Sequence, residues 1–269
     1  MNTAPSSVSR LDDGLDPARA NALSMTLGLG QTFAAGDTLP AFFHQIYFWE
    51  PKPALELGRD GHPQVGGLIP DMGLPRRMWA GGRLTFHAPL VVGEQAQKLS
   101  SCDSVVRKQG RTGDLALVTL KHEITQSGSL CVTELQDLVY REDSHPEKPK
   151  PTPPKAASDE ESLQIVEFSP TLLFRYSALT FNGHRIHYDL PYAQDTEGYS
   201  GLVVHGPLLA QLLILMAQDA LGPLHFFSFR ATSPLMHFER AELCRKGHTL
   251  WVRAPDGRLC MKAEAKPAL

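Results

Sequence analysis

Apolar positions along the chain follow two different periods. Between Leu84 and Tyr140 the runs Leu84–His87, Ala96–Arg107, Leu115–Gln126 and Leu130–Tyr140 alternate or carry β-branched residues. Turns at Gln109-Gly110, Thr112-Gly113 and Ser127-Gly128 separate them. This pattern predicts an antiparallel meander. From Gly206 to Leu221 the period becomes helical: Leu208, Leu209, Leu212, Leu213, Ile214, Leu215 and Met216 cover nearly every side of the segment. Pro207 suits the first helical position, and Gly222-Pro223 ends the run. Four strand-like runs follow, His225–Thr232, Met236–Cys244, Thr249–Ala254 and Leu259–Ala265. One apolar helix wrapped by an antiparallel sheet is the hotdog arrangement, of α+β class. The first half has a similar meander without a long helix, so a double hotdog with a degenerate N-terminal copy is predicted.

The remaining segments fill in this plan. Met1–Asp16 is rich in Ser and Asp and reads as a frayed end. Pro17 opens a short helix that stops near Gly28–Gly30. Leu39–Trp49 is aromatic and apolar, and Leu57–Gly82 is a long loop rich in Gly and Pro. Pro146, Pro149, Pro151, Pro153 and Pro154 make Glu142–Ser158 an extended spacer. The chain thus divides into an N-terminal hotdog (1–141), a linker (142–158) and a C-terminal catalytic hotdog (159–269). The last opens with a strand at Ile165–Phe168 and a short helix at Thr171–Tyr176.

Composition narrows the function classes. A net charge of -3 with pI ≈ 6.4 argues against bulk nucleic-acid or polybasic membrane binding. No leader-like pattern and no membrane-length apolar run are seen, so a soluble cytoplasmic protein is expected. Cys102, Cys131, Cys244 and Cys260 are scattered and read as free thiols in a reducing compartment.

The densest chemistry is Phe181–Asp189, Phe-Asn-Gly-His-Arg-Ile-His-Tyr-Asp. Asn182-Gly183 is also a strong hairpin signal, and a plain turn stays open as a reading. Two histidines beside an Arg and an Asp point further. His184, His187, Asp189 and His205 lack a recognised metal-ligand spacing, and the Arg185 cation would oppose an ion, so no metal is expected. No nucleophile elbow occurs, and no cysteine is near. General acid–base chemistry by histidine remains. His205-Gly206-Pro207-Leu208 begins the apolar helix, whose first N–H groups and positive dipole end would face outward. It is either an ordinary helix start or an oxyanion hole built on Gly206 and Leu208.

The run Ser177–Asp189, with Gly198-Tyr199 and Gly201–Leu208, resembles the MaoC-like hydratases and dehydratases. It is most similar to mitochondrial-type 3-hydroxyacyl-thioester dehydratases and bacterial mesaconyl-C4-CoA and itaconyl-CoA hydratases. Leu74–Arg83 and Leu57–Pro63 match the same branch, so the resemblance covers both halves. It implies a double hotdog whose N-terminal half is like a fatty-acid-synthase dehydratase domain. In the broader family the motif is Gly-Asp-x-Asn-Pro-x-His, with an Asp–His pair. Here His187 keeps its place, Asn182 stands for the Asp, His184 for the Asn and Arg185 for the Pro. An amide can orient a water but cannot take its proton, so His187 is assigned proton transfer, with His184 as helper.

The resemblance implies reversible hydration of a 2-enoyl thioester, with coenzyme A as the handle and no cofactor. Arg76, Arg77 and Arg83 around Trp79 read either as solvated charge or as an anion site for CoA phosphates or a substrate carboxylate. With Arg185 and His205 they form the expected substrate-binding set. A short C5 dicarboxyl acyl-CoA would account for these cations. Rival readings are a carrier-protein dehydratase of fatty acid synthesis, a hotdog thioesterase and a non-catalytic acyl-thioester binding module. The expected partners are acyl-CoA and a second copy in a homodimer, with neither nucleic acid nor membrane.

Overall fold

The computed structural model describes residues 7–110, 113–143 and 152–268. Ten strands form a single sheet: β1 (Val8–Asp13), β2 (Arg76–Phe86), β3 (Ala96–Gly110), β4 (Gly113–Gln126), β5 (Ser129–Arg141), β6 (Ser162–Val166), β7 (Leu224–Ala231), β8 (Ala241–Lys246), β9 (Thr249–Arg253) and β10 (Leu259–Pro267). Their order is β1-β3-β4-β5-β2-β7-β10-β9-β8-β6. The helices are α1 (Pro17–Thr26), α2 (Pro170–Leu179) and α3 (Gly206–Leu221). Helix α3 keeps the boundaries expected from Pro207 and Gly222. It lies against β7, β8, β9, β10 and β2, with Leu208, Leu213 and Ile214 fully buried. The large antiparallel sheet wrapped on one long helix is the hotdog arrangement.

The two halves meet where β2 pairs antiparallel with β7, Leu84 opposite Phe227 and Gly82 opposite Phe229. The expectation of loop up to Gly82 is therefore corrected: β2 begins at Arg76. Its Gly81 and Gly82 look like breakers in the sequence but serve the seam. A Cβ on Gly81 would lie 2.6 Å from the Phe229 carbonyl oxygen, and one on Gly82 would lie 2.8 Å from the Phe229 ring. Only glycine lets the backbones approach this closely. A buried Arg76–Glu197 ion pair, with Tyr199 stacked near the guanidinium, ties β2 to the C-terminal half beside this seam.

Two further expectations change. Val8–Asp13 is not frayed but pairs antiparallel with Ala96–Ser101 on β3. Of the linker (142–158), 144–151 lies outside the described residues, while 152–158 and the residues that follow it are held against the C-terminal sheet. Pro154 O accepts from Leu259 N–H, Ala157 O accepts from the Trp251 indole and Arg253, and Asp159 and Glu160 pair with Lys246 and Arg253. This stretch is clamped along the C-terminal sheet, with a bridge from Lys155 to Arg258. Met236–Glu239, expected as strand, instead makes one bridge from Met236 to Val203.

The seam carries a prediction. Gly81→Ala should lower stability by about 1–3 kcal/mol in urea unfolding, because backbone must move to admit the methyl. Gly67→Ala, with no atom within 4 Å of the added Cβ, should change it little.

Candidate active site

A cleft of about 240 Å³ opens between the halves, with Arg77, Trp79 and His62 on the N-terminal side and Asn182, Thr180, Phe181 and Pro207 on the other. Local geometry explains how Asn182 reaches it. Helix α2 ends at Leu179, Phe181 takes a left-handed φ of 51°, and the Asn182 N–H is accepted by Ser177 O at 2.8 Å. The Asn182 side-chain oxygen accepts the His184 N–H at 3.0 Å, closing an Asx turn. Both readings of Asn182-Gly183 are thus partly met: it is a turn, and it is at the cleft. With its oxygen engaged, Asn182 offers the cleft its amide N–H groups.

Gly183 has a second task. A Cβ on Gly61 would fall 2.1 Å from Gly183 O, and one on Gly183 would fall 2.5 Å from Gly61 O. The loop Arg59–His62 therefore docks backbone to backbone on the motif. Arg185 secures it: its N–H is accepted by Asp60 O, its guanidinium donates to Arg59 O, and the same group grips Asp189 while lying over the Tyr192 ring. This docking sets His62 with its ring 4.8 Å from that of His184.

His187 sits 6% exposed in the short 3-10 turn Arg185–His187. Its Nδ1–H donates to Val203 O at 2.7 Å, which leaves Nε2 as the nitrogen with a free lone pair. Beneath it lies His205, fully buried, stacked at 3.6 Å with an interplanar angle of 19°. His205 Nε2 is 2.8 Å from Ser177 Oγ. Burial lowers the pKa of His187 to about 4 against the pull of the Val203 hydrogen bond, and that of His184 to about 2. Burial also pushes His62 and His205 well below 6.5. The cluster is neutral at physiological pH, which keeps His187 able to accept a proton. Asn182, His62 and Pro207 line the cleft, whereas His184 and His187 lie buried behind its wall.

Helix α3 begins at Gly206 with its N-terminus toward the cleft, since Pro207 lines it. The Leu209 N–H to His205 O bond is the first to close the helix. Gly206 and Leu208 precede it and have no intrahelical partner for their N–H groups, while Pro207 has none to offer. An added Cβ on Gly206 would meet only Trp79 O, at 3.6 Å, so crowding does not explain this glycine.

The expected substrate-binding set is brought together only in part. Arg77 and Trp79 line the cleft. Arg76 does not: it forms the buried pair with Glu197. Arg83 points to the outer face, bidentate on Asp137. Arg185 is used on Asp189 and Arg59, and His205 packs under His187. The four are corrected to structural positions, because each already has its partner in the fold. Missed from the sequence were His62, isolated in a loop without a periodic signal, and a polar group on the N-terminal sheet treated below. Asp60, His62 and His184 bring ligand-type atoms within 4.8 Å of one another. Asp60 Oδ1 already accepts the His62 N–H at 3.0 Å, and the Arg77 charge disfavours positive charge on both histidines. That arrangement suits a hydrogen-bonding cluster better than a cation cage.

A hotdog helix that opens at a cleft also lined by an amide, with a neutral histidine behind it, suits acid–base chemistry with an oxyanion-binding helix start. The model of the hydroxyacyl-thioester dehydratase type 2 family matches residues 42–237. The mesaconyl-C4-CoA hydratase of Chloroflexus aurantiacus is 42% identical over 261 residues, spanning 94% of this chain and 93% of that protein. The crystal structure of HtdX from Mycobacterium tuberculosis superposes with a TM-score of 0.68 at 18% identity, over 97% of this chain and 100% of that one. Another protein of that organism, described as a double hotdog, gives 0.58 at 13% identity over 98% and 94%. The chain belongs to the hydroxyacyl-thioester dehydratase type 2 family.

If His187 is the base, it is neutral down to low pH, so kcat/KM should stay flat from neutrality to about pH 5 and fall below it. The apparent pKa should be near 4, the value for His187, and not the ordinary 6.5. The sign follows from burial: the neutral form is favoured when folded, so the base is lost only as pH falls through the lowered pKa. A pH–rate profile with a turning point near 6.5 would contradict this assignment.

Proposed function

We propose that this enzyme adds water reversibly across the C2=C3 bond of a 2-enoyl-CoA whose short acyl group carries a second carboxylate. The observation that carries the chemistry is the His187 tautomer, fixed by Val203 O beside the start of α3. Asn182 donates from its amide to the incoming water. His187 Nε2 takes the water's proton as oxygen bonds to C3, and the C2=C3 π pair moves to form the thioester enolate. Gly206 and Leu208 N–H groups, at the positive end of the helix, hold the enolate oxygen. His187 returns the proton to C2, which regenerates the neutral imidazole. The base and oxyanion donors all come from the chain, so no cofactor is called for, and coenzyme A serves as the handle whose binding orients the acyl group.

The substrate class rests on the 42% identical mesaconyl-C4-CoA hydratase. The cations of the cleft support it. Arg77 has no hydrogen-bond or ion-pair partner among the described residues, and it adds positive potential beside Asn182 and His62. His62, its ring 4.8 Å from that of His184, is placed to support that side chain.

Purified protein assayed with crotonyl-, mesaconyl-C4-, itaconyl- and longer enoyl-CoAs should show loss of enoyl absorbance without release of free thiol. His187→Ala should lower kcat by about 10²–10⁴-fold and His62→Ala by roughly tenfold. Thiol release with the enoyl absorbance unchanged would mean a thioesterase. Tight CoA-ester binding without turnover, indifferent to His187→Ala, would mean a binding module. For assembly we propose a homodimer, supported by Leu163 and Ile165, exposed together on the edge strand β6. Light scattering should give twice the chain mass, and Ile165→Lys should reduce it to one.

A further inference from the structure

The concave face of the N-terminal sheet carries polar side chains where its strand phase calls for apolar ones. On β5, Glu134 and Gln136 share a face with Val132, Leu138 and Tyr140. On β4, His122 is in phase with Leu120 and Ile124, and on β3 Lys98 and Ser100 are in phase with Ala96 and Cys102. One rung makes the contrast plain. Ser100, His122 and Glu134 stand side by side on β3, β4 and β5, then Leu84 on β2 and Phe227 on β7. The rung turns from polar to apolar between Glu134 on β5 and Leu84 on β2, one strand before the seam. The C-terminal face is covered by α3, whereas the polar face opens into the cleft that holds Asn182.

Burying such groups costs stability unless each is paired, so their partners are informative. Glu134 Oε2 accepts from Gln45 at 2.8 Å and lies 3.0 Å from His44 Nε2, while its Oε1 is buried without a hydrogen-bond partner among the described residues. Ser100 Oγ is 2.7 Å from His122 Nδ1, and His122 Nε2 is 3.2 Å from Gln136 Oε1. Because an amide oxygen only accepts, His122 donates through Nε2 and receives the Ser100 hydroxyl proton at Nδ1. Burial, which takes the His122 pKa to about 4, keeps it in that neutral form. The relay fixes the Gln136 amide with its oxygen inward, and its N–H groups have no partner among the described residues. Lys98 also lacks a hydrogen-bond or ion-pair partner there. Its ammonium lies 5.3 Å from the Phe48 ring, and burial lowers its pKa. Lys98 feels the carboxylates of Glu134, Glu50 and Asp13 but is paired with none of them. This half-buried cation can therefore take an anionic partner in the cleft, which the neutral amides of the pantetheine arm would not supply.

We propose that this polar floor is the receptor for the carboxylate at the far end of the acyl group, with Lys98 as its counter-ion and Gln136 as a neutral donor along the acyl path. The proposal rests on the enoyl-CoA reading above and adds where the second carboxylate goes. It makes the N-terminal half the selector of substrate: a plain alkyl chain would leave Lys98 half-buried and unpaired, which the site penalises.

The test compares kcat/KM for two carboxylated thioesters, mesaconyl-C4-CoA and glutaconyl-CoA, with that for crotonyl-CoA. In Lys98→Gln the ratio of the better carboxylated substrate to crotonyl-CoA should fall about 10- to 100-fold, the range of a charge-assisted hydrogen bond. Lys98→Arg should restore most of it, and Gln136→Leu should lower the ratio about 3- to 10-fold. An unchanged ratio in Lys98→Gln overturns the proposal, as does an equal loss on both substrate types, which would place Lys98 on the pantetheine arm. A ratio lost in Arg77→Gln but kept in Lys98→Gln also overturns it, placing the carboxylate at Arg77. If the wild type turns over none of the thioesters, the hydratase reading fails on its own account. Calorimetric affinities of the same compounds then decide the receptor: a carboxylate preference that survives Lys98→Gln sinks it.

Discussion

The pairing of β2 with β7 is the constraint on which the remaining architecture rests. It merges two meanders into one sheet, and so fixes the distance between a wall supplied by the first half and a helix supplied by the second. The approach is possible because Gly81 and Gly82 have no side chain to oppose Phe229. A second glycine contact, Gly61 against Gly183, repeats the device at loop level and delivers His62 across the boundary. The site is therefore a property of the interface, and neither half holds all of it.

Within that interface the chemistry is set by dehydration of the imidazoles. Four histidines, at positions 62, 184, 187 and 205, crowd a volume from which solvent is largely excluded, and each is held neutral by burial. Mutual repulsion adds to this, since protonating one disfavours its neighbours. The stack of His205 under His187 supplies a flat support, and the Val203 carbonyl selects the tautomer. An amide at Asn182, rather than a carboxylate, is consistent with such surroundings. A carboxylate there would favour protonation of the nearby rings, whereas an amide leaves them neutral.

What the sequence made legible follows from how local each signal is. Helix α3 could be bounded to the residue because Pro207, Gly222 and the apolar run are all within it. Strands β3, β4 and β5 were readable from alternation and from Gly turns. Strand β1 was not, because Val8–Asp13 is polar and becomes a strand only against β3. The start of β2 was hidden by two glycines whose reason is a phenylalanine nearly 150 residues away. The arginines show the same limit more sharply. Arg76, Arg77 and Arg83 look alike in sequence, yet Glu197 and Asp137 claim two of them and leave Arg77 at the cleft. A signal was present for Glu134 and Gln136, since both sit on the buried phase of a strand whose neighbours are Val132, Leu138 and Tyr140. It required asking why the alternation fails there.

The missing helix of the N-terminal half has a consequence for how such a protein can vary. In a dimer of identical hotdogs, every substitution appears twice, so a face cannot be polar for the substrate and apolar for a packed helix at once. Joining the two copies in one chain removes that obligation. One copy carries α3 with His184, His187 and His205, while the other has no long central helix among the described residues and presents polar side chains on the inner face of β3, β4 and β5. Broken symmetry lets the two inner faces differ, one closed by a helix and one open to the cleft.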